Sequence, residues 1–135
     1  MNERPHRQSL EVPGVTHNAP IPMGARVGNM VFSSGIMGKD PATNEVPREP
    51  ERQAYFAFKN LQTMLEQAGA SMADVGHITV FITDNSMRDH VNKEWLKYFP
   101  NAHDRPARHA IVQPNLPAGM LVQLEVIAVL PDGTR

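Results

Sequence analysis

Apolar and polar positions alternate with a period of two near the end of the chain, from Leu121 to Leu130. This alternation is typical of a β-strand, in which successive side chains point to opposite faces of the sheet. One face of the strand is entirely apolar, whereas the other carries Gln123 and Glu125 among apolar residues. The pattern therefore predicts a sheet with one face on the protein core and a second face that something else must cover.

Two other segments show the spacing of three and four that is typical of an amphipathic helix. The first begins near Pro50 and ends at Gly69, with a proline at its start and a glycine at its end. The second follows Ser86 and Asp89, which together resemble a capping box, and ends before Pro100. Both patterns predict helices with one apolar face.

The remaining apolar segments favour strands. His77 to Thr83 is rich in β-branched residues, and a strand is also predicted from about Arg108 to Gln113. A further strand is predicted from Val27 to Met37, with Gly28-Asn29 as a turn at its start and Gly35 as a bulge or a point of close approach. The proline-rich residues 1–24 favour an arm or loop with at most one short edge strand, and residues 1–18 are expected to be a flexible arm.

The predicted order is β-β-α-β-α-β-β within 135 residues, which is the length of one domain. Strands interleaved with two helices imply one mixed sheet with both helices on the same face, an α/β (α+β) architecture. No helix is left over for the second face of the sheet. A partner subunit would cover it, so a closed homo-oligomer is expected.

The amino-acid composition limits the partners and the kinds of functional site that are expected. The chain has 13 Lys and Arg against 14 Asp and Glu, so its net charge of -1 does not favour nucleic acid or anionic lipid as a partner. It has no cysteine, which excludes disulfides, thiolate metal sites and a cysteine nucleophile. The six histidines have no metal-site spacing, and no apolar run approaches the ~18 residues of a membrane span. A soluble, cytoplasmic protein without a metal is expected.

The segment Arg105-Pro106-Ala107-Arg108 places a guanidinium group at the start of a predicted strand. The planar guanidinium fork makes two parallel hydrogen bonds to a carboxylate, which lysine does not reproduce. Arg108 is therefore a candidate carboxylate-binding residue, with an ordinary surface ion pair as the alternative interpretation.

From Ala19 onward the chain resembles the reactive-intermediate (imine/enamine) deaminases, the Rid or YjgF-like family, and the motifs that carry the resemblance are Gly28-Asn29-Met30, Ser33-Ser34-Gly35, Arg105-Pro106-Ala107-Arg108 and Leu116-Pro117. The resemblance implies a chorismate-mutase-like fold and a homotrimer whose sheets form a central barrel, with ligand pockets between subunits. It also implies hydrolysis of a 2-imino or 2-enamino acid to the 2-oxo acid and ammonia, without metal or organic cofactor.

The resemblance also assigns roles to individual residues. Arg108 matches the arginine that binds the substrate carboxylate, and Ala110 lies where the family contacts this carboxylate through a main-chain N–H. Ser34, beside Gly35, matches a serine of the pocket. The expected ligand is a small carboxylate-bearing molecule.

Two positions depart from the family pattern. Ile21 stands where active relatives have a tyrosine, and Gln123 stands where they have a glutamate thought to position water. Glutamine can orient water but cannot accept its proton. Glu125, about 6 to 7 Å along the same face, is an alternative for this role, although an interface ion pair is its simpler interpretation. Ile21 and Met120 are expected to influence pocket size.

These departures leave two functions open. The first is a hydrolytic deaminase in which Gln123 places the water. The second is a non-catalytic protein of the same fold that binds or senses small carboxylates. Ribonuclease activity fits poorly with the net charge of -1. His17 is expected to be a solvated loop residue, and its place near the N-terminal segment gives the alternative that it lines the ligand cleft.

Overall fold

The computed structural model describes residues 6–131, which form one mixed sheet and two helices. The helices are α1 (Pro50–Gln67) and α2 (Arg88–Tyr98). The strands are β1 (Gln8–Leu10), β2 (Gly24–Val27), β3 (Met30–Ser33), β4 (Ile36–Met37), β5 (Val75–Ile82), β6 (Ala107–Val112) and β7 (Val122–Val129). Their order across the sheet is β1-β2-β3-β7-β5-β6, and β4 also pairs with β7. The pairing of β5 with β6 is parallel and the others are antiparallel, which confirms the predicted mixed sheet.

Strand β7 confirms the predicted alternation. Its inward-facing residues are buried beneath the helices, whereas Glu125, Ile127 and Val129 are exposed. On the neighbouring strand β3, Phe32 lies opposite Ile127 and is 38% exposed. The outer face of the sheet, meaning the face away from the helices, is thus partly apolar and has no cover within residues 6–131.

Helix α1 matches its prediction at both ends. Pro50 occupies the first turn, where its missing N–H costs nothing. At the other end Gly69 has φ +80°, and the N–H of Ala70 donates to the carbonyl of Leu65, the pattern of a Schellman motif. Neither α1 nor α2, the two longer helices of residues 6–131, has the length and apolar character needed to cross a bilayer.

The predicted start of α2 was wrong. The carboxylate of Asp84 accepts hydrogen bonds from the backbone N–H and the hydroxyl of Ser86, so Ser86 is not the cap. These bonds lower the pKa of Asp84 and stabilise a 3-10 turn, Asn85–Met87, that leads into α2. The helix itself begins at Arg88. The local bond of Asp84 therefore outcompetes the capping box expected from Ser86 and Asp89.

The segment from Val27 to Met37 has the predicted turn at Gly28-Asn29, and the strand that follows is divided into β3 and β4. Gly28, with φ +61°, turns the chain between β2 and β3. Phe32 is paired with Ile127, and Ile36 is paired with Leu124. The segment of β3 and β4 between these two pairs therefore has one more residue than the matching segment of β7. The extra residue is a bulge that includes Gly35, which confirms the role predicted for this glycine.

Residues 6–18 pack on the core, which contradicts the flexible arm for this part of residues 1–18, and β1 at the edge of the sheet confirms the predicted short edge strand. Gln8–Leu10 pairs with β2, and Leu10, Val12 and Val15 are buried in the core. These three apolar residues contribute to the same core as the helices, which stabilises the segment. Residues 1–5 lie outside the described part of the chain.

Candidate functional site

A cleft of about 380 Å³ lies beside the bulge between β3 and β4. It brings together five of the residues predicted to form the pocket: Ile21, Ser34, Gly35, Met120 and Gln123. They come from three segments of the chain. The pairing of β3 and β4 with β7 holds two of these segments together, and hydrogen bonds of Ser34 to Pro22 and Met23 hold the third. We call this space the Gln123 cleft.

Ser34 is fixed at the wall of the Gln123 cleft by its own hydrogen bonds. Its hydroxyl donates to the carbonyl of Pro22 at 2.8 Å, and its backbone N–H donates to the carbonyl of Met23 at 2.9 Å. The hydroxyl hydrogen is thus engaged, and the lone pairs of the oxygen stay available. Ser34 can accept a hydrogen bond from a ligand, whereas no base among residues 6–131 contacts it to activate it as a nucleophile.

Gln123 packs tightly against Gly35. A β-carbon on residue 35 would lie 2.5 Å from Cδ of Gln123 and 2.6 Å from its Nε2. The one hydrogen bond of this side chain within residues 6–131 is a weak one from Nε2 to the sulfur of Met120, at 3.8 Å. The amide is therefore held in position by packing, while most of its hydrogen-bonding capacity is left for water or a ligand.

His17 also lines the Gln123 cleft, which favours the alternative interpretation of this residue over that of a solvated loop histidine. Its Nδ1 is buried and has no hydrogen-bond partner in the described part of the chain. Two bonds between Thr16 and Asn44, of 2.9 and 2.7 Å, tie the loop of His17 to a distant turn. This long-range tie places His17, and no local sequence signal predicts it.

Glu125 lies two residues beyond Gln123 on the outer face but does not line the cleft. It is exposed and is paired across the sheet with Thr79, whose other neighbour is His109. Within residues 6–131 Glu125 forms no ion pair. Its position leaves open both alternatives, a role in positioning water and a role at a subunit interface.

Arg108 lies on the opposite face of the sheet from the Gln123 cleft. Its guanidinium carbon is 4.8 Å from the centre of the Trp95 ring, a cation–π contact with α2. It is half-buried in a shallow recess, which we call the Arg108 recess, lined by Val80, Ile82, Arg88, Val91, Arg108 and Ala110. Burial and, secondarily, the charge of Arg88 lower the pKa of Arg108. No carboxylate among residues 6–131 forms an ion pair with it.

The backbone at Ala110 adds a donor beside Arg108. Strand β6 is at the edge of the sheet, and the N–H of Gln113 donates to the carbonyl of Ile82 on β5. N–H groups alternate in direction along a strand, and the register of β6 with β5 is unbroken. Since Ala110 is three residues before Gln113, its N–H points away from β5, toward the open edge of the sheet. A guanidinium group and a free backbone N–H are suitable donors for a carboxylate.

The two halves of the predicted site are far apart within one chain. Phe81 on β5 is paired with Gln123 on β7 and with Ile111 on β6, so Gln123 and Ile111 are two strand spacings apart. Arg108 is three residues from Ile111 along β6. With standard strand dimensions, the α-carbons of Gln123 and Arg108 are about 14 Å apart, and the side chains point to opposite faces. A small carboxylate cannot touch both residues of the same chain.

Residues 6–131 contain no group of three His, Asp or Glu side chains close enough to hold a metal ion. The residues of the Gln123 cleft and of the Arg108 recess are instead suited to hydrogen bonding and to pairing with an opposite charge. The sequence did not identify Arg88 as a residue of the Arg108 recess, because Arg88 reaches the recess through a tertiary contact.

Comparisons with known proteins agree with the fold. A family model described as endoribonuclease L-PSP matches residues 16–130. A structure of YyfA from Yersinia pestis, a protein of the conserved Rid protein family, matches with a TM-score of 0.83 and 28% identity, over 92% of this chain and 99% of that one. The chain belongs to the Rid/YjgF family. This confirms the resemblance seen in the sequence motifs.

Relatives within the Rid/YjgF family have different names. A RutC family protein of Pyrococcus abyssi is 34% identical over 119 residues, which are 84% of this chain and 92% of the relative. The Escherichia coli protein named "Putative reactive intermediate deaminase TdcF" is 32% identical over 111 residues, 82% of this chain and 86% of the relative. A crystal structure of E. coli TdcF with bound serine has a TM-score of 0.83 and 28% identity, and covers 92% of this chain and 99% of TdcF.

Proposed function

We propose that this Rid-family protein is a hydrolytic deaminase that converts small 2-imino or 2-enamino acids to the 2-oxo acid and ammonia, without a metal or organic cofactor. The main support is Arg108, a half-buried cation that no carboxylate of residues 6–131 neutralises. Such a group is stabilised when an anionic ligand binds. The free N–H of Ala110 beside it fits the second oxygen of a carboxylate. Serine, which is bound in the related E. coli TdcF, carries the same group.

We further propose that the complete site forms between subunits of a homotrimer. The Arg108 recess and the Gln123 cleft lie on opposite faces of one chain, so a ligand that touches both needs residues from two copies. Phe32, Ile127 and Val129 are 38 to 45% exposed on the outer face, and a neighbouring subunit would bury them. Association then gains free energy from apolar burial and completes the pocket.

In the proposed reaction, Arg108 and the N–H of Ala110 of one subunit hold the substrate carboxylate. The protonated imine carbon faces the Gln123 cleft of the next subunit. The carbonyl of Gln123 accepts a hydrogen bond from a water molecule and directs its oxygen at this carbon. Ser34 accepts a hydrogen bond from the substrate nitrogen. An enamine would first tautomerise to the imine.

The bond changes balance without a cofactor. A C–O bond forms as the C=N double bond becomes single, and a proton of the attacking water passes to the nitrogen. The C–N bond then breaks and ammonia leaves, the remaining hydroxyl proton passes to the ammonia or to solvent, and the carbon keeps the oxygen as a carbonyl. Because Gln123 cannot accept a proton, the nitrogen of the substrate receives it, either directly or through solvent.

A second candidate is a protein that only binds small carboxylates. It is favoured by Gln123, which stands where the water-positioning carboxylate of active relatives is expected. In this case Arg108 and Ala110 would keep their role and turnover would be absent. Ribonuclease activity, which the name of the family model suggests, is less compatible with the net charge of -1, and labelled RNA incubated with purified protein tests it directly.

One experiment separates the deaminase from the binding protein. An amino acid oxidase generates a panel of 2-imino acids in place, and semicarbazide traps the imine that the protein has not yet hydrolysed. We expect the protein to reduce trapping and to raise the rate of ammonia release. If hydrolysis stays at the uncatalysed rate while calorimetry detects 2-oxo acid binding, the protein is a binder. If neither is observed, both proposals fail.

A further inference from the structure

Gln53 is a polar residue of α1 that is only 1% exposed, and its side-chain amide is hydrogen-bonded to the main chain of other segments. Its Nε2 donates to the carbonyls of Pro47 at 2.7 Å and of Gly119 at 3.1 Å. Its Oε1 accepts from the backbone N–H of Leu121 at 2.7 Å. Among side chains of this length, glutamine alone has two donor hydrogens and an acceptor on one planar group, so this set of bonds requires a glutamine.

Two of these bonds hold the turn that contains Met120, because Gly119 and Leu121 are its two neighbours in the chain. The backbone of this turn has a positive φ at Ala118 (+60°) and at Gly119 (+76°). Glycine adopts this conformation freely, whereas alanine is strained in it. The hydrogen bonds from Gln53 therefore stabilise a turn that residue 118 by itself disfavours.

The turn borders the Gln123 cleft, which Pro117 and Met120 line. The sulfur of Met120 accepts the one hydrogen bond that the Gln123 side chain donates within residues 6–131, at 3.8 Å. Gly35 packs against the same amide. The position of the Gln123 amide thus depends on the turn as well as on the bulge.

The main chain of Gln53 supports the other neighbour of Gln123. Residue 38 has no space for a β-carbon, because the carbonyl of Gln53 occupies it. Gly38 directly follows β4, in which Met37 is paired with Gln123. At Gln53, helix α1 therefore contacts both the turn that precedes β7 and the end of the strand beside Gln123.

We propose that Gln53 is a positioning residue for the water step of the reaction. It does not line the Gln123 cleft, and it acts by holding the turn of Met120 so that the Gln123 amide keeps its orientation toward the water molecule. This inference rests on the proposed function, because it assigns a supporting residue to the same site. Since Arg108 lies on the other face of the sheet, Gln53 should affect the water step and leave the carboxylate anchor unchanged.

Gln53→Met tests this role, because it keeps the length of the side chain and removes all of its hydrogen bonds. In the full-length protein, kcat for imine hydrolysis should fall by about 10 to 100-fold, the range expected when a reacting group is misplaced by ~1 Å. The Kd of 2-oxobutanoate, measured by calorimetry, should change by less than about twofold, since the anchor is intact. A purely structural role would lower the unfolding temperature and leave kcat unchanged below it.

Two further variants test the turn itself. Ala118→Gly removes the strain at residue 118, so adding it to Gln53→Met should restore part of the lost kcat. Gln53→Glu keeps the shape and the acceptor for Leu121 but loses the donors, and it should lose part of kcat. This variant also keeps the proposal testable if Gln53→Met does not fold.

A matched control destabilises the same helix away from the cleft. Leu65 is buried in α1 and does not line the Gln123 cleft, so Leu65→Ala should lower stability through a core cavity and keep the wild-type kcat. In a Gln123→Ala background, Gln53→Met should lower the rate little further, because Gln53 acts through Gln123. Circular dichroism and light scattering verify that each variant is folded and assembled.

The inference is overturned if folded Gln53→Met and Gln53→Glu keep the wild-type kcat, or if Gln53→Met has the same effect with and without the Gln123 side chain. If the wild type hydrolyses no imine, the proposed function fails. The NMR signals of the Gln123 side-chain amide then still test the positioning, and unchanged signals in Gln53→Met would refute it.

Discussion

The side-chain amide of Gln123 occupies the space in which a β-carbon on residue 35 would lie. This β-carbon would be 2.5 to 2.8 Å from three atoms of the amide, a distance that real atoms do not tolerate. Gly35 therefore allows Gln123 to lie flat against the bulge between β3 and β4, where it borders the cleft. The fixed amide makes Gln123 suitable for directing a water molecule.

Replacing Gly35 by alanine should displace the Gln123 amide. Because this amide is the far end of a flexible side chain and can move away, we expect a loss of stability of about 1 kcal/mol or less and a clear loss of deaminase activity. Denaturant unfolding and steady-state turnover measure these two effects. Gly76→Ala is the control, because a β-carbon there meets nothing closer than the carbonyl of Ile127 at 3.8 Å.

A double-mutant cycle tests whether the contact itself is responsible. In a Gln123→Ala background the clash is absent, so Gly35→Ala should then cost much less stability. An equal cost in both backgrounds would mean that Gly35 matters for some other reason.

Gln123→Glu tests the chemistry of the water step with little change in side-chain shape. If the protein lacks only a group that accepts a proton, this variant should raise deamination of simple imino acids by ~10²-fold, the range of general-base catalysis. Glu125→Gln should then change little. Rates of ammonia release with saturating imine check both variants.

The opposite result would assign the positioning of water to Glu125 in place of Gln123. If Glu125 positions the water, Glu125→Gln should abolish activity, and Gln123→Glu should impair it by placing two carboxylates on one face. Unchanged turnover in both variants would exclude both residues from the water step and refute the proposed mechanism.

Arg108→Lys keeps the charge but loses the planar fork and the stacking on Trp95. Arg108→Ala loses the charge as well as the fork and the stacking. Carboxylate affinity should therefore fall in that order, by about 2 to 5 kcal/mol for alanine if the pair is enclosed between subunits. Trp95 is the one tryptophan of the chain and contacts the Arg108 guanidinium, so its fluorescence should report binding. Unaltered affinity in both variants would mean that the carboxylate is held elsewhere.

Arg105 provides the matched control for this experiment. Its guanidinium donates to the backbone carbonyls of Phe99 and Pro100 and does not line the Arg108 recess. Arg105→Lys should leave carboxylate affinity at the wild-type value.

The exposed apolar residues of the outer face predict a homo-oligomer, and the proposed function takes it to be a trimer. Light scattering at micromolar protein should give about three times the chain mass of 15.0 kDa. Ile127→Lys places a charge in the proposed interface and should shift the protein toward monomer and lower its activity at the same time. A fully active monomer would contradict a site shared between subunits.

The sequence alone determined those features that depend on local periodicity and on motifs. The alternation in β7 placed Gln123 and Glu125 on the outer face, and the spacing from Pro50 to Gly69 predicted α1. These predictions succeed because the face on which a side chain lies follows directly from the geometry of one strand or helix.

Tertiary structure decided the remaining features, since they arise from contacts between residues distant in the chain. Pairing with β7 brought Gln123 against Gly35, and the tie between Thr16 and Asn44 placed His17 in the cleft. The packing of α2 on the sheet brought Arg88 next to Arg108, which is 20 residues away. Local periodicity does not encode which strand or helix packs against another, so only the folded chain shows that the predicted site consists of two separate halves.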